Sequence, residues 1–287
     1  MKKWAFLLVL LLLLGGEVIL QLKGYLEDGF TLEDNKAQDE SLLEEAIPIQ
    51  VTEEQIYKGN LVLVNKETPV HQLGIKSDVV HLAEHDDLIV GYGLLDNTIQ
   101  LSESVAQEFI TMIDAAQQDG VNQFLISSGY RDVAEQDRLF QEMGAELALP
   151  AGHSEHNLGL SLDIGSFGGL MGQAPEGKWL KSNAWMHGFI LRYPEDKTAI
   201  TGIEYEPWHF RYVGLPHSVI MLEKNFTLEE YLEYLKEKKF VSTTVQGEKY
   251  EIAYYPVNKK TTIHVPVNRD YEISGDNMSG VIVTLHL

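Results

Sequence analysis

The chain contains no cysteine. That absence excludes disulfide staples, any metal site built on thiolates, and membrane attachment through a lipidated cysteine. A metal held by this chain must sit on histidine, aspartate or glutamate. Positive charge is scarce as well: 22 lysine and arginine residues stand against 43 aspartate and glutamate residues, a formal net charge of −21. Nucleic acid and anionic lipid headgroups are poor partners for such a surface, because it repels phosphate. No P-loop and no dinucleotide fingerprint occurs, and the HExxH pattern of helical zinc sites is absent.

What is present begins with an export-type segment. Lys2 and Lys3 precede an apolar run over residues 4–14, which Gly15 and Gly16 extend. A secretory h-region takes about 7–15 residues, against about 20 for a full span. Glu17 interrupts the run, Val18, Ile19 and Leu20 resume it, and no clear small-x-small cleavage site follows. Residues 1–22 therefore read as an uncleaved signal anchor in preference to a cleaved signal, with the remainder outside the cytoplasm. Ten acidic residues and one lysine lie between Glu27 and Glu54. Residues 23–58 accordingly read as an acidic, solvated stalk.

The 287 residues, 44% of them hydrophobic, suffice for one domain of ordinary size with additions at its ends. It is expected to open near Gly59 with a strand over residues 61–64. Ser102 is placed to cap a helix whose Val105, Phe109, Met112, Ile113 and Ala116 share one face, with Gly120 as its stop. Residues 124–126 and 160–164 read as strands. Asp132 with Glu135, and Thr227 with Glu230, read as capping boxes. Residues 165–177 are glycine-rich and predict a mobile loop, followed by a short helix bearing Trp179 and Trp185. Past residue 239, residues 241–245 and 250–255 flank Gln246-Gly247, a hairpin turn. Residues 262–265 and 281–285 add further strands. The expected class is α+β: one domain over residues 59–239 with mixed helices and a small antiparallel sheet, then a small β-rich appendage over residues 240–287.

The residues that carry chemistry lie between Ser154 and His209. Ser154-Glu155-His156-Asn157-Leu158-Gly159-Leu160-Ser161-Leu162-Asp163 sets a histidine and an aspartate seven apart, at the ends of a loop-to-strand segment. Glu206-Pro207-Trp208-His209 sets a second histidine beside a carboxylate. Two imidazoles and one carboxylate suit a catalytic zinc ion, with a fourth position for water whose pKa then falls to about 7. A carboxylate beside that water takes its proton and later hands it to a leaving amine; Glu206 is placed for this role. His71, His81, His85, His153, His187, His217, His264 and His286 read as surface or hydrogen-bonded residues. His153, three before His156, stays open as an alternative ligand. Asp163 alone would serve equally as a cap or an ion-pair partner, so the reading rests on the combined pattern. Arg131 offers a guanidinium suited to a substrate carboxylate or a developing oxyanion; a structural salt bridge is its alternative. Ser154, Ser128 and Gln136 are further candidates for holding substrate, and Ser154 equally for organising its loop. Trp208 walls the site or joins the core.

These residues carry a resemblance. SEHNLGLSLD and EPWH resemble SxHxxGxxxD and ExxH, the two zinc-site motifs of the M15 metallopeptidases. YPEDKTAITG and HFRYVG resemble the VanY branch, the D,D-carboxypeptidases of glycopeptide resistance. SSGYRD, from Ser127 to Asp132, resembles the segment that carries the family's substrate arginine. The likeness covers about residues 60–237, and the acidic stalk and β tail also resemble a VanY protein. It implies zinc held by His156, Asp163 and His209, with Glu206 as catalytic base and Arg131 binding substrate and stabilising the oxyanion. It does not require a histidine at position 153, and the family often has alanine where Ser161 stands. The implied reaction removes the terminal D-Ala from peptidoglycan precursor peptides ending in D-Ala-D-Ala. That would also remove the ligand of vancomycin and related glycopeptide antibiotics. The implied place is the outer face of the cell membrane. A peptidoglycan endopeptidase and a non-catalytic wall-binding module are the alternatives. Retention of both Glu206 and Arg131 argues against the binding module, since a structural zinc needs neither. The absence of an SxxK motif disfavours the serine route to the same reaction, and Gly152-His153-Ser154-Glu155-His156 lacks the closing glycine of a nucleophile elbow.

Overall fold

The computed structural model describes residues 30–34, 46–144 and 149–287. Residues 1–22, read above as a signal anchor, lie outside the described residues, among which no helix is long and apolar enough to cross a membrane. In chain order the strands and helices are β1 (Phe30–Asp34), β2 (Ala46–Thr52), β3 (Val79–His81), β4 (Gly93–Leu94), β5 (Gln100–Ser102), α1 (Glu103–Gln118), β6 (Phe124–Ser128), α2 (Val133–Met143), β7 (Ser161–Ser166), α3 (Pro175–Asn183), β8 (Phe189–Leu191), α4 (Thr198–Thr201), β9 (His209–Tyr212), α5 (His217–Glu223), α6 (Leu228–Lys238), β10 (Phe240–Val245), β11 (Glu248–Pro256), β12 (Lys260–Pro266), β13 (Tyr271–Gly275) and β14 (Gly280–His286). The class is α+β, as expected.

The central sheet runs β4-β6-β7-β9-β8, with only the β4–β6 pair parallel. Its core face is covered by α1, whose Val105, Phe109, Met112, Ile113 and Ala116 are all buried against Phe124, Ile126, Leu162 and Ile164. The helix begins where expected, because the Ser102 hydroxyl accepts from the Val105 N–H. It ends where expected too, since Gly120 takes a φ of +80° that suits glycine. Asp132 caps α2 by accepting from the Glu135 N–H at 2.7 Å. Thr227 and Glu230 form the reciprocal capping box of α6.

Two expectations need correction. Residues 61–64 form no strand; they are a buried, irregular segment. Val62 and Val64 join the core under the central sheet, whereas Leu61 and Leu63 join a second core with α6. A segment buried on both sides is uniformly apolar, which is why it mimics a buried strand. Its backbone is satisfied largely by side chains: Arg211 donates to the Asn60 and Val62 carbonyls, Asn277 to the Leu63 carbonyl, and the Leu61 N–H bonds to Ser274 Oγ. Next, residues 23–58 are not a solvated stalk throughout. β1 pairs with β10, β2 pairs with β12, and Val51 and Ile56 are buried. Local acidity argues for solvation, but strand pairing to partners about 200 residues away is invisible to it. The C-terminal strands β10–β14 supply the expected β-rich addition, packed directly on the preceding helix. The sheet β1-β10-β11-β14-β13 shares one core with α6, in which Leu232 and Leu235 meet Val241, Ile252, Tyr254 and Ile282. The β10–β11 hairpin does form on Gln246-Gly247, both at positive φ (54° and 86°), as a twist-matched two-residue turn requires.

Candidate active site

Antiparallel pairing brings the site together. Asp163 on β7 stands directly opposite His209 on β9, and Ser128 at the end of β6 stands opposite Asp163 from the other side. Directly opposed residues on one sheet face lie close enough for their side chains to meet. The Asp163 Oδ1 oxygen is 3.1 Å from His209 Nδ1 and 3.4 Å from His156 Nε2. His156 arrives from a tight turn of residues Glu155–Asn157, where the Ser154 hydroxyl accepts from the His156 N–H at 3.3 Å. One ligand atom from each of His156, Asp163 and His209 falls within 4.8 Å of the others.

The ring of His156 is aimed by the opposite loop. Its Nδ1 lies 2.6 Å from the Gly129 carbonyl, an acceptor, so Nδ1 carries the proton and Nε2 faces Asp163 with its lone pair. That loop is fastened at several points. The Tyr130 N–H donates to the Gln100 carbonyl, the Arg131 N–H donates to the His156 carbonyl at 3.0 Å, and Asn157 Nδ2 donates to the Arg131 carbonyl at 2.7 Å. A two-sided stitch thus holds the SSGYRD and SEHN segments against each other.

Glu206 and His209 share one turn, closed by the His209 N–H donating to the Glu206 carbonyl at 3.1 Å. Glu206 Oε2 lies 3.7 Å from His209 Nδ1. Burial raises the Glu206 carboxyl above its ordinary range, with Asp163 and Glu155 adding repulsion while His209 and Arg131 oppose them. A carboxylate with raised affinity for a proton is a better base. Burial would raise Asp163 too, but His156 and His209 outweigh it and hold Asp163 far below the usual carboxylate range. His209 is pushed up to about 9, because its contacts with Asp163 and Glu155 overcome the burial that disfavours its charged form. The cluster therefore attracts positive charge. With two imidazole nitrogens and a carboxylate oxygen converging, the donor set fits zinc.

Arg131 comes next to the same point. Its Nη1 donates to Ser128 Oγ at 3.0 Å, while its buried Nε has no hydrogen-bond partner among the described residues. Burial lowers its pKa, and Asp163, Glu135 and Glu206 counter that, so the guanidinium stays charged among acids. A charged donor with an unused N–H suits an incoming oxyanion or carboxylate. The remaining sequence candidates divide. Trp208 is 41% exposed, which places it at the rim and not in the core. Ser154 is buried and its hydroxyl organises the turn. Gln136 is buried, and its Nε2 donates to the Leu149 carbonyl. His153 stands apart, its Nδ1 2.9 Å from the Asn65 carbonyl.

A family profile described as VanY, D-alanyl-D-alanine carboxypeptidase, matches residues 98–215. An Enterococcus faecium protein named D-alanyl-D-alanine carboxypeptidase is 57% identical over 296 residues, covering 99% of this chain and 96% of its own. This chain belongs to the VanY family of D-alanyl-D-alanine carboxypeptidases. Like the family it is a hydrolase, and VanY-family peptidases are metallopeptidases. The crystal structure of the vancomycin resistance D,D-dipeptidase VanXYg, in complex with a D-Ala-D-Ala phosphinate analog, is 33% identical with a TM-score of 0.73 and covers 84% of this chain and 99% of its own. That of the D,D-pentapeptidase VanY from a VanB-type resistance cassette, a Glu-to-Ala variant in complex with Zn(II), is 30% identical with a TM-score of 0.50 and covers 60% and 98%.

Behind the ligand candidates this VanY-family chain carries a buried layer that motif and spacing alone do not point to. Glu155 sits inside the SEHN motif yet is 1% exposed, and it binds Arg192, Arg211 and Ser161. The hydroxyl of Ser161, where the family often has alanine, is spent on that carboxylate. Tyr193 is buried with its ring centroid 4.9 Å from that of His209. An unexplained acid between a capping serine and a candidate ligand histidine was the one available sign; its arginine partners lie 37 and 56 residues away.

Proposed function

We propose that the chain is a zinc-dependent D,D-carboxypeptidase that removes the terminal D-Ala from cell-wall precursor peptides ending in D-Ala-D-Ala, and so contributes to glycopeptide resistance. The observation that carries this reading is the convergence of His156, Asp163 and His209 within 4.8 Å, with Glu206 and Arg131 beside them. His156, Asp163 and His209 would hold the zinc, which when bound supplies Lewis acidity that brings the proton loss of water down to about pH 7. Glu206 takes a proton from the attacking water and returns it to the amine of the departing D-alanine. Arg131, charged and with a free Nε–H, receives the substrate's terminal carboxylate or the oxyanion that develops from the scissile carbonyl. Ser128 orients that guanidinium, and Trp208 borders the entrance.

The test is release of D-Ala from a D-Ala-D-Ala-terminated pentapeptide, with and without chelator, alongside metal analysis. We expect one zinc per chain, activity lost with chelator, and zinc lost in His209→Ala. A full zinc complement in His209→Ala would overturn the ligand assignment. Binding of the peptide without cleavage by the zinc-loaded chain would favour a wall-binding module. Residues 1–22 are proposed to hold the enzyme on the outer face of the cell membrane, since Glu17 breaks an apolar stretch that no clear cleavage site follows. Mature protein recovered from the medium, beginning past residue 16, would show a cleaved signal instead.

A further inference from the structure

A buried ion network touches the ligand candidates at one point. Glu155 Oε1 accepts from Arg192 Nε at 2.8 Å and from Arg211 Nη1 at 2.7 Å. Arg192 turns its other two nitrogens to Glu229, at 3.0 and 2.7 Å, and Arg211 spends its remaining ones on the carbonyls of Tyr212, Asn60 and Val62. Every guanidinium nitrogen of the two arginines is engaged, so Glu155 cannot turn without stranding buried charge. Its second oxygen, Oε2, accepts from Ser161 Oγ at 3.0 Å and faces His209 Nε2 at 3.5 Å.

We infer that Glu155 is a positioning residue for His209, selecting the imidazole tautomer with its proton on Nε2 so that Nδ1 keeps a lone pair for the metal. The inference rests on the proposed reading of His209 as a ligand. A carboxylate only accepts, so a partner held against Nε2 favours the proton there. The 3.5 Å separation is long for a hydrogen bond. However, Nε2 is buried and has no closer partner among the described residues, and Glu155 is the acceptor that faces it. His156 shows the same logic with the nitrogens exchanged: the Gly129 carbonyl takes the proton of Nδ1 and leaves Nε2 toward Asp163. Each imidazole thus has a fixed acceptor behind the nitrogen that points away from the cluster. Such partners orient metal-binding histidines and raise their basicity.

The test measures zinc affinity by chelator competition in the full chain, beside nitrogen NMR of the His209 ring. Glu155→Gln can turn its NH2 toward Nε2 and is expected to weaken zinc binding about 10–100-fold, the usual effect of losing such a partner. Glu229→Gln removes charge from the same network without touching His209, and is expected to leave zinc affinity nearly unchanged. Glu155→Gln binding zinc as tightly as the unmodified chain overturns the inference, and so does equal weakening by Glu229→Gln. Should Glu155→Gln fail to fold, the unmodified zinc-loaded chain decides: a proton on His209 Nε2 supports the inference, and one on Nδ1 overturns it. A chain that binds no zinc, or a His209→Ala variant that binds it normally, overturns the ligand reading itself and the inference with it.

Discussion

Replacing Glu206 by glutamine separates the proposed base from the proposed ligands. The amide keeps the size of the carboxylate and removes its ability to take a proton. The Glu206 side chain is one-quarter exposed, and among the described residues its close ionic contact is His209 Nδ1 at 3.7 Å. Fold stability should therefore change by less than about 1 kcal/mol, the range of a partly exposed pair. Zinc should remain, since His156, Asp163 and His209 are untouched. Substrate should still bind, since Arg131 is untouched. Turnover should fall about 10²–10⁴-fold, the usual share of general acid–base catalysis, which corresponds to about 3–5 kcal/mol in the barrier. The decrease should appear in kcat with little change in KM, because Glu206 is assigned to proton transfer and not to holding the peptide. The assay is D-Ala release from the pentapeptide at saturating substrate, run on samples of known zinc content. Near-normal kcat in a zinc-replete Glu206→Gln enzyme would refute the assignment. Loss of zinc along with activity would mean that Glu206 helps to hold the metal.

Arg131→Ala should raise KM and lower kcat, with kcat falling about 10²–10³-fold by analogy with a lost oxyanion donor; steady-state kinetics on the pentapeptide separate the two, and an unchanged KM would remove Arg131 from substrate binding. Gly129→Ala places a Cβ 2.1 Å from the Gln100 carbonyl, so the loop whose carbonyl orients His156 must move, and chelator competition should show zinc affinity reduced about 10–100-fold. His217 gives a pH test of stability away from the site. It is buried between the Tyr231 hydroxyl and Thr284, and burial, with some repulsion from His286, pushes its pKa down to about 3. Between its unfolded value near 6.5 and about 3, only the unfolded chain takes up the proton, so stability falls as pH falls through that window. The loss from pH 8 to pH 5 is about 2 kcal/mol for this group. Urea unfolding in chelator should show that much less acid sensitivity in His217→Gln, and an identical pH slope would refute the buried neutral histidine.

The amino-acid sequence by itself determined the features that are local. The helix caps at Ser102, Asp132 and Thr227 lie within three residues of their partners, and all three form. The Gln246-Gly247 turn needs only two residues with access to positive φ, and it forms. The ligand candidates were legible because residue type, not position in space, restricts what can bind zinc in a chain without cysteine. Choosing His156 over His153 needed more than spacing, and the fold shows why: His153 turns to the Asn65 carbonyl, whereas His156 is held toward Asp163. Tertiary structure alone decided the rest. Acidic composition made residues 23–58 look solvated, yet β1 and β2 are recruited by strands more than 200 residues on. Residues 61–64 look like a strand and instead thread between two cores, because uniform apolarity reports burial on both sides and says nothing of hydrogen-bond partners. Little in its local pattern sets Glu155 apart from the other members of the 43 acidic residues. Folding encloses it with two arginines and aims its second oxygen, which also accepts from Ser161, at His209; a carboxylate is tolerated there only because those distant arginines neutralise it.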